Sequence, residues 1–198
     1  MVGINMETKP TNFEENPFFI CGQRAESLII NVLEYLGYYI IPKRDYSKNG
    51  APQCYNYDDK LSLPDIQIAK DGKTWYVEVK SKPSRWKHPD TGLNEKHFNH
   101  YKKIEEITGI KVFLIFYDEG YIDNKVSYIN TKNTTYGNFI SEISLKICGY
   151  PRIENRYFPS IIYFKYPECF IKICSNNILL DYKNNKELLK KIFSDIFK

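Results

Sequence analysis

The sequence lacks several features that would assign it to a specialised class of protein. Its five cysteines include no C-x-x-C pair, so neither a zinc knuckle nor a paired disulfide framework is predicted, and we expect reduced thiols. No run approaches the roughly 18 consecutive apolar residues of a membrane span. The first residues include Glu7, Glu14 and Glu15 and no apolar stretch of signal-peptide length. We therefore expect a cytoplasmic protein with no membrane partner.

Composition excludes a disordered or fibrous chain without identifying a partner. Hydrophobic residues make up 42% and charged residues 26% of the chain, as in ordinary globular proteins. The net charge of +4 favours a polyanionic partner only weakly, because basic surfaces are common. Neither an internal repeat nor an interdomain linker is evident. We expect one domain over residues 1–198, with its core at about 22–118 and residues 119–198 as a C-terminal extension of the same domain.

Hydrophobic periodicity predicts how the chain begins. Apolar residues at three- and four-residue spacing predict an amphipathic helix that begins near Gly22 and ends at Gly37. Residues 38–41 predict a short buried strand. The polar stretch 45–60 predicts a loop.

The centre of the chain predicts a hairpin, a helix and a buried strand. Residues 63–69 alternate, an Asp-Gly pair at 71–72 favours a tight turn, and residues 74–80 are rich in strand formers. Helical spacing covers 94–108, and 112–116 is a continuous apolar strand.

Weaker patterns lie between and beyond these elements. The segment between the hairpin and the second helix predicts a loop containing Pro83, Pro89 and Gly92. Three short strands and a terminal helix are predicted beyond residue 120, at 128–129, 161–164, 170–173 and 186–197.

Two acidic residues and a lysine are predicted to meet on the hairpin. Glu78 and Lys80 are two residues apart on a strand, so their side chains leave the same face. A turn at 71–72 brings Asp65 back beside Glu78. Two neighbouring carboxylates repel each other unless a cation compensates them, and Mg²⁺ prefers carboxylate oxygens. Lys80 alone offsets only one of them.

These residues resemble the PD-(D/E)XK nuclease motif. Pro64-Asp65 is followed after twelve residues by Glu78-Val79-Lys80, and Gly22-Gln-Arg-Ala-Glu26 resembles the helix that places a Glu at the site in this superfamily. The resemblance implies an α/β protein with a mixed central sheet flanked by helices, a restriction-endonuclease-like core.

The resemblance also implies an activity and a cofactor. It predicts a phosphodiester hydrolase, an endonuclease acting on DNA in preference to RNA, with Glu26, Asp65, Glu78 and Lys80 as catalytic residues. Asp65 and Glu78 are the expected ligands of Mg²⁺, with Mn²⁺ as a substitute. A homodimer is compatible, since the family often cuts two strands symmetrically. The alternatives are a non-catalytic or partner-dependent nucleic-acid-binding module on the same fold, and an RNA-cutting nuclease.

Further candidates follow the motif. The resemblance favours His97, His100 or Tyr101 as a polar residue near the site on the second helix. Lys82 and Arg85 belong to a basic and aromatic loop suited to gripping a phosphate backbone.

Each candidate also has a structural alternative. Most Glu-x-Lys strands carry solvent-exposed cross-strand pairs, and Glu26 fits an exposed helical residue. The two histidines fit a solvated pair, or a transition-metal site for which no third ligand is apparent. The basic loop fits an ordinary solvated loop.

Overall fold

The computed structural model describes most of the chain in segments. Statements about structure below concern these residues: 17–41, 53–56, 59–82, 90–119, 121–122, 129–130, 133–143, 160–165 and 168–198.

Four α-helices lie in these segments. In chain order they are α1 (Pro17–Tyr35), α2 (Glu95–Thr108), α3 (Asn176–Leu180) and α4 (Lys186–Ile196). Helix α1 is followed by Gly37 at a φ of 84°, a left-handed conformation that favours glycine, as predicted. Asn94 caps α2 by accepting a hydrogen bond from the Lys96 backbone N–H.

Six strands form one mixed sheet in the order β1, β4, β5, β7, β10, β12. Their bounds are β1 (Tyr39–Ile41), β4 (Ile66–Lys70), β5 (Lys73–Ser81), β7 (Val112–Asp118), β10 (Thr134–Phe139) and β12 (Ile171–Ser175). Strands β5 and β7 pair in parallel through the α2 crossover, and the other neighbours are antiparallel. The sheet is mixed for this reason.

Three two-stranded ribbons complete the strands. Strand β2 (Gln53–Asn56) pairs with β3 (Asp59–Ser62), and β8 (Tyr121–Ile122) pairs with β9 (Ile129–Asn130). Strand β6 (Asp90–Asn94) pairs with β11 (Ile161–Lys165), a distant part of the chain.

Apolar layers cover both faces of the six-stranded sheet. One layer contains residues of α1, α3 and α4 packed on Val77, Val79 and Phe113. The other contains residues of α2, β6 and β11 packed on Leu114 and Phe116. The predicted fold class, an α/β protein with a mixed central sheet flanked by helices, is confirmed. None of the described helices combines the length and apolar character needed to cross a bilayer.

The structure corrects two predictions near the N-terminus. Helix α1 begins at Pro17 rather than near Gly22, which proline permits because the first N–H groups of a helix need no intrahelical acceptor. Strand β1 was predicted to be buried, but it lies at the edge of the sheet, and Tyr39 is 76% exposed.

Two predicted loops contain strands instead. The polar stretch 45–60 includes the β2 strand and the start of β3, a hairpin anchored by the buried Leu61. Gly92 lies in β6, where a Cβ atom would come within 2.6 Å of Cγ2 of Ile161. The pairing with β11 is long-range, so local sequence gave no sign of it.

The C-terminal predictions are confirmed for the strands near 161–165 and 171–175 and for the terminal helix. Strand β10 was not predicted, although it lies between β7 and β12. Its sequence TTYGNF has no apolar alternation. Of the strand predicted at 128–129, only residue 129 lies among the described residues.

The cysteines differ in part from the prediction of reduced thiols. Cys21, Cys54 and Cys174 are free, whereas Cys169 is disulfide-bonded. The expectation that no cysteine is paired is therefore wrong.

Candidate active site

The predicted hairpin of β4 and β5 is present and sets the register of the motif. Asp71 and Gly72 form its turn with φ angles of 50° and 74°, the left-handed pair that two-residue hairpins require. Ile66 pairs with Val77, so the next position along places Asp65 opposite Glu78.

Asp65 and Glu78 are joined by reciprocal bonds to the backbone. The Asp65 backbone N–H donates to Glu78 Oε2 at 3.0 Å, and the Val79 N–H donates to Asp65 Oδ2 at 3.0 Å. Each carboxylate therefore has its position fixed by the other strand. The two acids lie side by side, as the hairpin predicted.

Lys80 lies between the two carboxylates. Its Nζ atom is 3.7 Å from Asp65 Oδ2 and forms an ion pair with Glu78 Oε1. Glu78 is 0% exposed, which rules out the solvent-exposed surface pair as an account of this residue. The Lys80 and Asp65 side chains remain 26% and 20% exposed, so solvent reaches the centre from their side.

Burial and neighbouring negative charge raise the pKa values of Asp65 and Glu26. The pKa of Asp65 is raised to about 7 by burial and by the charge of Glu78, against the opposing effects of Lys80 and the Val79 N–H. The pKa of Glu26 is raised to about 7 by burial and by the charge of Asp65, against the opposing effect of Lys80. Glu26, on α1, therefore lies within electrostatic range of the hairpin residues.

Lys80 remains an ammonium ion in this environment. Its burial lowers its pKa, but the carboxylates of Glu78 and Asp65 outweigh that effect and hold the pKa above its ordinary range. We use "the cutting centre" below as the name of the predicted site formed by Glu26, Asp65, Glu78 and Lys80. It contains three acids and one permanent cation.

The cutting centre contains more carboxyl groups than ammonium groups, which favours binding of a divalent cation. In the described part of the chain, no group of three or more His, Cys, Asp or Glu side chains could hold a metal ion, so a metal at this site would have two of these side chains as ligands at most. A closed structural zinc site is therefore not built there. Asp65 and Glu78 instead fit Mg²⁺, which is commonly held by one or two carboxylates, with water and substrate phosphates as its other ligands. Burial and the charge of Glu78 raise the pKa of Asp65, and a bound divalent cation would compensate the negative charge that they disfavour.

The two histidines of α2 differ in their contacts. His100 accepts a hydrogen bond at Nδ1 from the Ser62 backbone N–H at 2.9 Å, which holds β3 against the helix. His97 packs its ring against Tyr101 at a centroid distance of 6.0 Å. Burial lowers the pKa of His97, and Lys80 lowers it further. The charge of Lys80 therefore places His97 beside the cutting centre, and among the described residues the two histidines belong to no group of three or more metal-binding side chains.

The remaining candidates have separate places. Tyr101 is 2% exposed and belongs to the apolar core beneath α2. Lys82 donates from Nζ to the Gly92 carbonyl at 2.8 Å, and burial lowers its pKa, as does the nearby charge of Lys80. Arg85 and the basic loop around it lie outside the described residues.

Sequence reasoning missed the backbone groups that position these side chains. The carbonyl of Gly92 lies in β6, which was predicted as loop, and the N–H of Ser62 lies in β3, whose first two residues fell within the predicted loop 45–60. Pro, Asn and Asp are uncommon in strands, and their presence around β3 and β6 favoured the prediction of loops. The apolar residues Leu61 and Leu93, which are buried, were the available indication of strands.

The element order implied by the PD-(D/E)XK resemblance is present. A helix carrying Glu26 is followed by the hairpin with Asp65, Glu78 and Lys80, then by a helix and by a strand buried along its whole length. The roles of these residues stay predictions.

The chain is similar in structure to two proteins of known structure. Hjc, a Holliday junction resolvase from the archaeal hyperthermophile Archaeoglobus fulgidus, is 11% identical, with a TM-score of 0.44 over 80% of this chain and 99% of Hjc. D212, a nuclease from a fusselovirus, is 14% identical, with a TM-score of 0.34 over 96% of this chain and 98% of D212. No protein-family model and no curated protein sequence matches. At these values the likeness carries no functional conclusion, so we base the proposal on the geometry of the site.

Proposed function

We propose that this protein is a metal-dependent nuclease that hydrolyses phosphodiester bonds in DNA. The observation that carries the proposal is the cross-bonded pair of Asp65 and Glu78 with Lys80 between them, set in an otherwise apolar sheet face. Burying charged side chains costs free energy of folding, and such residues are found most often at functional sites. Mg²⁺, held by Asp65 and Glu78, would polarise a phosphate oxygen and lower the pKa of a bound water.

Lys80 contributes a fixed positive charge to this reaction. Because its two carboxylate neighbours keep it protonated, its role is to stabilise negative charge that develops at phosphorus. It does not act as a general base in this state. The partial exposure of its side chain leaves it accessible to a phosphate group.

Glu26 contributes a carboxyl group that titrates near neutral pH. A pKa of about 7 lets its carboxylate accept a proton, directly or through water, from the attacking water molecule. Asp65 has the same raised pKa but is committed to the Val79 N–H and to the pair with Lys80. Glu26 is therefore the better candidate for proton transfer.

The experiment that tests this proposal is a cleavage assay on supercoiled and linear DNA with Mg²⁺ or Mn²⁺. Asp65→Asn and Lys80→Met should each lower the cleavage rate by about 100-fold to 1,000-fold, because the first removes a proposed ligand of the metal and the second removes the positive charge that stabilises the transition state. Asp71→Asn and Lys73→Met are matched controls on the same hairpin, at its exposed turn, and should cut like the wild type.

Two outcomes would contradict the proposal. If Asp65→Asn and Lys80→Met both cut at the wild-type rate, the cutting centre is wrongly assigned. If the wild-type protein holds DNA equally well with and without Mg²⁺ and cuts no topology, the protein is a binding module on this fold.

A further inference from the structure

Lys82 is a charged residue beside the cutting centre that the proposed chemistry does not use. It continues the alternation of Glu78 and Lys80, so the three side chains leave the same face of the chain. Its Nζ hydrogen bond goes to the Gly92 carbonyl, and no carboxylate among the described residues pairs with it. An ammonium group removed from water without a counter-ion is costly, and an anion would compensate it.

Backbone contacts hold Lys82 in this position. Its own N–H donates to the Tyr117 carbonyl at 3.3 Å, which continues the pairing of β5 with β7. The Gly92 carbonyl that receives Nζ lies in a strand packed so closely on β11 that a Cβ there would come within 2.6 Å of a side chain. The ammonium group is therefore fixed by two strands, and its remaining N–H donors are available to a ligand.

His97 is a second unused group. A neutral imidazole carries one donor and one acceptor nitrogen. Within the described segments neither ring nitrogen of His97 has a hydrogen-bond partner, and the ring contacts Tyr101. His97 lies within electrostatic range of Lys80 and Asp65. His100, three residues later, has its Nδ1 engaged by Ser62.

The charge of the cutting centre explains why such groups would be needed. Glu26, Asp65 and Glu78 face the one ammonium group of Lys80, so the centre by itself repels a polyanion. A bound metal offsets this charge at the scissile phosphate only. Neighbouring phosphates of the same strand need donors of their own.

We propose that Lys82 and His97 bind the DNA backbone beside the scissile phosphate. The substrate class rests on the proposed function. The two groups would then supply a cationic contact and a neutral hydrogen bond to phosphate oxygens, neither of which carries sequence information.

The test measures equilibrium binding of a labelled double-stranded DNA oligonucleotide as a function of salt concentration. The parent protein is Asp65→Asn, so that binding is read without cleavage. Adding Lys82→Met should weaken binding about fivefold to tenfold and reduce the log–log salt slope by about one, the signature of one lost phosphate contact. Adding His97→Asn should weaken binding about tenfold and leave the slope unchanged, because no charge is lost.

Two further variants separate contact from structure. Lys82→Arg keeps the charge and should keep the parent slope, even if Lys82→Met lowers the melting temperature. Lys73→Met removes a charge from the other end of the same strand, roughly 30 Å away, and should leave binding unchanged.

Failure of this inference is distinguishable from failure of the proposed function. If Lys82→Met and His97→Asn bind DNA like the parent while the wild-type protein cuts DNA, the inference is overturned and the nuclease stands. An equal loss of slope in Lys73→Met also overturns it. If the wild-type protein does not cut but both variants lose binding as described, the inference stands and the nuclease falls.

Discussion

The two faces of strand β5 differ sharply although both are buried. Trp75, Val77 and Val79 face the layer built on α1 and form part of a continuous apolar core. On the opposite face, Tyr76 is followed by Glu78 and then Lys80, where the apolar layer under α2 gives way to charge. One face of β5 therefore contributes apolar packing alone, whereas the other combines apolar packing with the charged residues of the proposed site. Variants on the two sides should therefore fail in different ways.

The largest expected effect is a loss of free energy of unfolding when a large side chain is removed from the apolar face. Phe113 is 1% exposed, and its ring contacts those of Phe139 and Phe197 at centroid distances of 4.9 and 5.3 Å. Phe113→Ala should lower the free energy of unfolding by about 3 to 5 kcal/mol, because it leaves a cavity among packed rings. Urea denaturation measures this loss.

The control for Phe113→Ala is Ile107→Ala on α2, where the side chain is 56% exposed. This change should alter the free energy of unfolding by no more than about 0.5 kcal/mol. Equal losses in the two variants would mean that the apolar face does not carry the stability.

The charged face should make stability depend on pH in the absence of metal. The pKa of Asp65 is about 7 in the folded protein and near its ordinary value of 3.8 when unfolded, so between these values the folded state keeps a proton that the unfolded state has lost. Stability should therefore fall as pH rises through this window and level off above it. The proton retained by Asp65 contributes at most about 1.4 kcal/mol per pH unit to the slope, and Glu26, whose pKa is also raised to about 7, contributes with the same sign.

Urea midpoints measured in EDTA from pH 4.5 to 7.5 test this dependence. Asp65→Asn should reduce the slope, leaving the contribution of Glu26, and should stabilise the metal-free protein at pH 7 although it slows cleavage. Asp71→Asn, at the exposed turn of the same hairpin, should keep the wild-type slope. A variant Asp65→Asn with an unchanged slope would show that this carboxyl group is not the one that titrates.

These two faces were predictable from sequence to different degrees. The apolar face follows from local patterns: the spacing in α1 and the continuous run of β7 predict buried surfaces directly. The pairing of Asp65 with Glu78 was also predictable, because the Asp71-Gly72 turn fixes the register of the hairpin. Those parts depend on residues close in sequence.

The surroundings of the cutting centre were not predictable in the same way. Strand β6 forms only through pairing with β11, about 70 residues further along the chain, and the carbonyl that holds Lys82 depends on that pairing. The distinction between His97 and His100 depends on the backbone of β3, whose first two residues fell within a predicted loop. Such contacts have no local pattern that marks them.

Replacing Glu26 tests the comparison of the two faces through the cleavage rate, with a smaller expected effect. Glu26 lies on α1, a helix of the apolar layer, but within electrostatic range of the cutting centre. Glu26→Gln should lower the cleavage rate about 10-fold to 100-fold, since it removes the carboxylate that we propose accepts a proton from the attacking water. Steady-state cleavage at saturating Mg²⁺ measures the loss.

Glu34→Gln is the matched control for Glu26→Gln, since Glu34 is an exposed acid on the same helix. It should cut at the wild-type rate. If Glu26→Gln also cuts at the wild-type rate, α1 contributes only to the apolar core, and another group accepts the proton.

The smallest expected effect is a gain in the free energy of unfolding when a cation binds. A cation bound on the charged face should stabilise the whole sheet. Asp65 and Glu78 repel each other in the metal-free protein, and Lys80 offsets only part of that charge. Mg²⁺ at about ten times its dissociation constant should therefore add about 1.4 kcal/mol to the free energy of unfolding, since only the folded hairpin brings both carboxylates together. That increment raises the melting temperature by roughly 3 to 6 °C for a chain of this size.

Thermal unfolding at constant ionic strength should show the increase in the wild type and in Asp71→Asn but not in Asp65→Asn. An equal increase in all three proteins would place the bound cation away from the hairpin, and the acid pair would then need another reason to be buried.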